Sequence, residues 1–251
     1  PLRNTVLFPQ QVIPIYIGRE RSLKLIKDLD PKERYIVVVA QEDGSIEDPK
    51  DEDLYSYGTL AQVLKVFDMP DNSKSAIVQG ISRLKILKYT KKEPFFCAAV
   101  EPVEDKPLDN TIKMDSLAKQ LRQGFEDLMK VAPNLTEEHS GMLKNIQKLN
   151  RLTDRAISVI TIPNKEKQQI LEELDINKRA EKAINLISRE IQRIKLGDEI
   201  QSEVHDEITK TQREYYLREQ MKAIKKELGE DEGSVDHKEL EEKLEAAKLP
   251  K

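Results

Sequence analysis

The sequence predicts an α+β fold in which a small, mainly β domain is followed by an α-helical bundle with one long, extended helix. Nine of the 12 aromatic residues lie in residues 1–105, and nine of the 12 prolines lie in residues 1–107. No proline occurs between Pro163 and Pro250. Because proline interrupts helices and aromatic residues favour strands, these distributions indicate a turn-rich β half followed by a helical half.

The β half contains about six short strand segments and one helix, a pattern typical of a small barrel or a curled sheet. Residues 12–17 favour a strand, but Pro14 cannot donate a hydrogen bond to a neighbour, so we expect this strand at an edge or in a bulge. Residues 20–29 have the spacing of a helix. The other predicted strands are 35–40, which is expected to be fully buried, 58–67, 75–78, 84–86 and 95–103.

Two connecting segments of the β half have a distinctive composition. Residues 42–53 contain seven Asp or Glu and one Lys, and we interpret them as a solvated loop. Residues 69–73 read Met-Pro-Asp-Asn-Ser, which predicts a turn because proline sets φ while Asp and Asn tolerate the left-handed region.

Helical spacing dominates after residue 108 and predicts a bundle over residues 108–190. The predicted helices are 110–131, 136–150, 152–162 and 165–174. Polar residues that accept hydrogen bonds from free helix N–H groups are predicted at several helix starts. These N-caps are Thr136, Asn164, and either Asp175 or Asn177.

Nothing in the sequence prevents one long helix from about Lys178 to Leu228. Its apolar stripe is narrow, and the phase of the stripe slips at Gly197-Asp198, which predicts a kink or a change of register near Gly197. Such a stripe is poorly buried by its own chain, so residues 191–228 are expected to project into solvent or to form a coiled coil with a partner. Residues 229–251 predict a turn and a short helix.

Composition excludes several classes of protein. The net charge is −4, which argues against a dedicated nucleic-acid binder. No apolar run approaches the roughly 18 residues of a membrane span, so no membrane partner is expected. The single cysteine, Cys97, excludes an internal disulfide framework and favours a reducing compartment. The chain begins with Pro1 rather than Met, which predicts that a preceding segment has been removed or left out.

No catalytic residue, metal ligand or cofactor site is predicted. No glycine is followed by lysine, so the phosphate-binding loop of nucleotide hydrolases is absent. The three histidines, His139, His205 and His237, lack the spacing of a metal site. Ser116 and Lys119 share a helix face, but no companion motif of a Ser-Lys enzyme accompanies them. The residues therefore indicate a non-catalytic binding or assembly module.

Two groups of segments closely resemble bacterial Lon proteases. Residues 1–9 (PLRNTVLFP), 12–15 (VIPI) and 18–22 (GRERS) resemble the beginning of this family. Residues 212–224 (QREYYLREQMKAI) and 226–229 (KELG) resemble the signature of its long helix. Shorter matches to its β domain occur at Gly58-Thr59 and at Gly80-Ile81-Ser82-Arg83.

The resemblance implies a PUA-like β domain over residues 1–107, a helical bundle over 108–190, a long helix over 191–228, and a segment 229–251 that leads towards an ATPase domain outside the chain. It implies a substrate-recognition and hexamer-assembly module of an ATP-dependent AAA+ serine protease. The partners implied are unfolded or degron-bearing polypeptides and other Lon subunits. ATP, Mg²⁺ and the Ser-Lys peptidase site belong to the family's other domains, so this chain alone is not expected to be an enzyme.

A receptor for unfolded chains needs accessible apolar surface, and eight residues are candidates for contact with substrate or partner. Adjacent helix residues differ by about 100°, so the paired tyrosines face different directions, and methionine makes adaptable contacts. An alternative is that all eight are ordinary core or coiled-coil residues. The candidates are Phe8, Pro9, Val12 and Pro14 in the first segment and Tyr215, Tyr216, Met221 and Ile224 on the long helix.

Two other functions remain open at this stage. Because PUA-like domains also occur as RNA-binding modules, a nucleic-acid interface is possible though not favoured. Its basic residues would be Arg83, Lys85, Lys88, Lys91 and Lys92. The chain would otherwise be a structural spacer that has no ligand.

Overall fold

A computed structural model describes residues 1–30, 33–106, 111–228 and 242–243. The chain forms two compact units, Pro1–Ile194 and Lys195–Lys251. The predicted turn and short helix over 229–251 fall almost entirely outside the described residues, although residues 242 and 243 are helical. The α+β prediction is confirmed, since an antiparallel sheet is followed by helices that include one long helix.

The sheet contains five antiparallel strands within the described part of the chain. Its path runs β1-β4-β3-β2, and β5 also pairs with β4. Strand β1 therefore lies at an end of the path, as Pro14 predicted. The strands are β1 (Val12–Ile17), β2 (Tyr35–Val38), β3 (Tyr57–Asp68), β4 (Lys74–Lys91) and β5 (Cys97–Pro102).

Two predictions about the strands are wrong. Residues 75–78 and 84–86 belong to the single strand β4, because a register shift opposite Leu60/Ala61 interrupts the alternation of its side chains without ending the strand. Residues 35–40 were expected to form a fully buried strand, but β2 ends at Val38 and Tyr35 is exposed. The reason is that β2 lies at the other end of the sheet path.

Six α-helices occur in the described ranges. They are α1 (Glu20–Asp28), α2 (Thr111–Val131), α3 (Glu137–Lys144), α4 (Leu149–Val159), α5 (Asn164–Glu172) and α6 (Ile176–Glu227). The helix predicted to run to residue 150 ends instead at Lys144. Helix α6 is continuous through Gly197.

The helix starts agree only in part with the predicted caps. Asp175 caps α6, since its Oδ1 accepts hydrogen bonds from the backbone N–H groups of Asn177 at 3.0 Å and Lys178 at 3.1 Å. Thr136 stands at the N-cap of α3, as predicted, and its N–H donates to Nδ1 of His139 at 3.1 Å. Asn164 is the first residue of α5 rather than its cap, because Pro163 occupies that position.

The sheet and the helices of the first unit share their largest hydrophobic core. Buried side chains from α2, α4, α5 and the beginning of α6 form most of this cluster. Val6, Phe8 and Ala40 from the β half belong to the same cluster. A second cluster packs the inner face of β1 against α1 through residues such as Ile15, Leu23 and Ile26. The domain limits at residues 107 and 190 stay predictions.

A buried ion cluster links the sheet to the helices. It consists of Arg83, Asp105, Asp154 and Arg179. The Arg83 guanidinium, on β4, donates two hydrogen bonds to Asp154 of α4, at 2.9 and 2.6 Å. Arg179, on α6, is 0% exposed and donates to Asp105. Its Nη1 lies 3.6 Å from Oδ1 of Asp154. Two cations and two anions balance, which is what burial of charge requires.

Asp105 makes this cluster sensitive to acid. Burial raises the pKa of Asp105, but hydrogen bonds from Arg179 and Asn150, together with the charges of Arg179 and Arg83, outweigh burial and hold the pKa below its usual value. The ionised carboxylate therefore stabilises the fold above the ordinary Asp pKa of about 3.9. That stabilisation is lost as pH falls through the lower pKa of the folded state.

We expect Asp105→Asn to lower the free energy of unfolding at pH 7, and the difference from the parent chain to narrow below about pH 4. Urea unfolding followed by circular dichroism at several pH values measures this difference. Glu101→Gln, which replaces an exposed carboxylate on β5, is the control and should change stability little. A difference that stays constant from pH 7 to pH 3 would contradict the role assigned to Asp105.

Candidate functional site

The structure separates the four candidates of the first segment. Phe8 is 0% exposed and packs in the shared core, so the expectation that its ring supplies accessible surface is wrong. Pro9 is half-buried beside it. Val12 is 49% exposed and Pro14 is also exposed, because both point away from the core that holds Ile13 and Ile15.

Side chains on the outer face of the sheet form an apolar surface that we call the sheet patch. It comprises the exposed Val12, Pro14, Tyr16 and Phe67 and the half-buried Ile77. Residues of β1 two positions apart share a face. Tyr16 and Phe67 both pair with Ser75, from opposite sides of β4, and Pro14 pairs with Ile77. Paired residues of antiparallel strands point to the same face, so these side chains are neighbours.

Polar groups at the border hold the sheet patch in place. The Tyr16 hydroxyl donates to Oδ2 of Asp71 in the turn after β3, at 2.9 Å. The Nζ of Lys65 lies 4.8 Å from the centre of the Phe67 ring. Tyr16 and Phe67 are not among the candidates predicted from the sequence, although the alternation of β1 places Tyr16 on the face of Val12 and Pro14.

The four helix candidates are all exposed on the second unit. Every residue from Lys195 to Leu228 is exposed, whereas the part of α6 before Ile194 contributes buried residues such as Ile187. We call the large apolar side chains of this exposed part the helix stripe. It comprises Leu196, Ile200, Val204, Ile208, Tyr215, Tyr216, Leu217, Met221, Ile224 and Leu228.

The helix stripe has two faces. At about 100° per residue, Leu217, Met221, Ile224 and Leu228 fall within about 60° of one another. Tyr215 lies about 160° from Leu217 and continues the row of Ile208, seven residues before it. Tyr216 lies between these faces, and its hydroxyl accepts a hydrogen bond from Nε2 of Gln220 at 2.9 Å. The stripe can therefore contact more than one apolar surface at once.

The basic residues proposed for nucleic acid are not all available. Arg83 is buried and engaged by Asp154, so its assignment to a basic surface is wrong. Arg83 is buried because it lies on the face of β4 that packs against α4 and α5. Its Nε also donates a hydrogen bond to the carbonyl of Leu171 at 2.9 Å. Lys92 pairs with Asp51 at 2.7 Å.

No group of three or more His, Cys, Asp or Glu side chains among the described residues is placed to hold a metal ion. None of the described helices combines the length and the apolar character needed to cross a membrane.

Comparison with known proteins agrees with this architecture. The family model of the ATP-dependent protease La (LON) substrate-binding domain matches residues 1–189. The chain is 40% identical over 252 residues to the Lon protease of Koribacter versatilis and 37% identical over 251 residues to that of Dictyoglomus thermophilum. Both matches cover the whole chain but only 31% of the relative, so the chain spans less than a third of these proteins.

Two solved structures share the fold. The N-terminal domain of the Mycobacterium avium complex Lon protease is 19% identical with a TM-score of 0.57, and the match covers 74% of this chain and 94% of that domain. The Lon N-terminal domain protein of Xanthomonas campestris is 16% identical with a TM-score of 0.53, at the same coverage. With the family match over three quarters of its length, the chain belongs to the Lon substrate-binding domain family.

Proposed function

We propose that this chain captures unfolded or degron-bearing polypeptides for a Lon-type, ATP-dependent protease and supports assembly of its homohexamer in the cytoplasm. The observation that carries the proposal is the complete exposure of the helix from Lys195 to Leu228, with ten large apolar side chains on it. ATP hydrolysis and peptide cleavage belong, in this proposal, to domains outside the chain.

The free energy of burying apolar side chains favours a binding partner for the helix stripe. A helix without tertiary packing is marginally stable in water, because most helical stability in proteins comes from burial of an apolar face. Burying one large aliphatic or aromatic side chain is worth about 1.5–3 kcal/mol. A partner that covers one face of the stripe, whether another subunit or an unfolded segment, would gain this free energy several times.

The two faces of the stripe suggest a division of roles. The compact face of Leu217, Met221, Ile224 and Leu228 has the spacing of a coiled-coil seam, 4-3-4, which suits a helix of another subunit. Tyr216 lies off this seam and remains available to a substrate. The sheet patch offers a second, smaller apolar surface for the same kind of ligand. Weak contacts repeated on six subunits would gain affinity through effective concentration.

We expect Tyr216→Ala to weaken binding of a permanently unfolded polypeptide by about fivefold, which corresponds to about 1 kcal/mol. Met221→Ala, on the coiled-coil seam, should instead weaken self-association of the chain. The measurement is fluorescence anisotropy of the labelled polypeptide, with its native counterpart and an RNA oligomer as comparison probes. Leu87→Ala is the matched control, because Leu87 is equally exposed but lies on β4 outside both apolar surfaces. Sedimentation equilibrium of the same variants reports on assembly.

Other outcomes select other functions. Equal loss of affinity in Leu87→Ala would show that the stripe is not a specific binding surface. Binding of RNA alone, with a steep decrease in salt, would favour a nucleic-acid module. Absence of binding to every probe, with unchanged sedimentation of the variants, would leave the role of a structural spacer.

A further inference from the structure

A cleft of about 290 Å³ lies in the first unit, between the turn before β1 and helices α3 and α4. One wall is formed by four residues of α4, namely Arg151, Asp154, Arg155 and Ser158. Their spacing of three, one and three positions places them on one face of the helix. The turn supplies the opposite wall, and α3 with the residues after it supplies apolar side chains. The other residues that matter for binding are Pro9, Met142 and Ile146.

Backbone contacts fix the turn that forms one wall. The N–H of Gln10 donates to the carbonyl of Gly80 at 2.9 Å, and the N–H of Gly80 donates to the carbonyl of Gln11 at 2.8 Å. A Cβ at Gly80 would lie only 2.2 Å from the carbonyl oxygen of Phe8, so only glycine allows this approach. The cleft is therefore preformed, so binding of a ligand costs little conformational entropy in this turn.

Two arginines on α4, Arg151 and Arg155, give the cleft positive charge. Asp154 is already engaged by Arg83 and Arg179. Arg155 contacts the sulfur of Met142 at 2.9 Å, and among the residues that the structure describes neither Arg155 nor Arg151 forms an ion pair. These two guanidinium groups are one helical turn apart on α4, so they are neighbours on its surface.

We propose that this cleft binds a short polypeptide segment in which a carboxylate lies beside an apolar side chain. Guanidinium groups bind carboxylates through paired N–H donors, and Pro9, Met142 and Ile146 supply the apolar contact. The volume is at the lower end of the range for ligand sites, about 300–1,000 Å³, and suits one or two residues rather than a folded surface. The inference rests on the proposed function and names a chemical class within its substrates.

The carboxylate has two possible sources, the free end of a chain or an Asp or Glu side chain, and the experiment separates them. Three labelled hexapeptides with the same apolar residues are compared by fluorescence anisotropy: one with a free carboxyl end, one amidated, and one amidated with an internal Asp. We expect at least one carboxylate peptide to bind at least tenfold more tightly than the neutral amide. In the double variant Arg151→Gln/Arg155→Gln, this preference should fall below about twofold.

The control variant Arg3→Gln/Arg34→Gln removes two positive charges from exposed positions outside the cleft and should keep the preference. Equal binding of all three peptides, or a preference that survives loss of Arg151 and Arg155, would overturn the proposal. The unfolded polypeptide probe tests capture separately, because in the proposed function that binding involves Tyr216, which lies on the other unit, outside the cleft. A carboxylate preference without binding of the unfolded chain would contradict capture while supporting the cleft.

Discussion

Asp154→Ala is expected to lower the free energy of unfolding by about 3–5 kcal/mol, which is a large part of the stability of a typical domain. The substitution leaves the buried guanidinium of Arg83 without the carboxylate that accepts its two hydrogen bonds. It also removes a carboxylate that lies 3.6 Å from Nη1 of Arg179. Uncompensated buried charge is far more costly than the loss of an exposed ion pair. Urea unfolding at pH 7, followed by circular dichroism, measures the change.

The control is Lys92→Ala, which breaks the exposed pair with Asp51 and should cost less than about 1 kcal/mol. The double variant Arg83→Met/Asp154→Leu removes both charged partners and should recover part of the lost stability, because apolar side chains of similar size can replace a buried pair. Equal effects of Asp154→Ala and Lys92→Ala would show that the ion cluster is not a principal link between sheet and helices.

Phe8→Ala is expected to lower the free energy of unfolding by about 3–5 kcal/mol, because it removes a fully buried aromatic ring from the shared core. Val12→Ala, four residues away and 49% exposed, should stay within about 0.5 kcal/mol of the parent chain. Thermal and urea unfolding measure both variants. The pair separates two roles that sequence analysis assigned to one segment, namely core packing at Phe8 and accessible surface at Val12.

Binding of the unfolded polypeptide gives the complementary readout for Phe8. Phe8→Leu keeps most of the buried volume and should fold, so its affinity can be measured even where the alanine variant is too unstable. We expect that affinity to equal the parent's. A loss of affinity in Phe8→Leu without a loss of stability would restore Phe8 to the binding surface.

Local signals in the sequence predict much of this fold. The turn at residues 69–73, the capping carboxylate of Asp175, and the edge position of β1 all follow from a residue and its immediate neighbours. The long helix is predicted for the same reason, since its periodicity is local. The break assumed within β4 shows the limit of such signals, because a bulge disturbs alternation just as the end of a strand does.

Contacts between distant parts of the chain leave no such signal. Arg83 and Asp154 are 71 positions apart, and nothing in their neighbours indicates that they meet. The same limitation explains Phe8, whose ring belongs to a core cluster with helix residues more than 100 positions later. Exposure of Tyr216, Met221 and Ile224 was easier to predict, because a narrow apolar stripe already indicates that one chain cannot bury it.

The pairing of β4 with β3, β5 and β1 determines the order in which the sheet can form. The β3–β4 turn joins Asp68 to Lys74, six positions apart, whereas β1 pairing joins Ile17 to the same lysine over 57 positions. Closing the longer loop costs about 2 kcal/mol more in chain entropy. We therefore expect the meander of β3, β4 and β5 to form first and β1 to add to it later. Destabilising substitutions in the 69–73 turn should slow folding, while those in β1 should mainly accelerate unfolding.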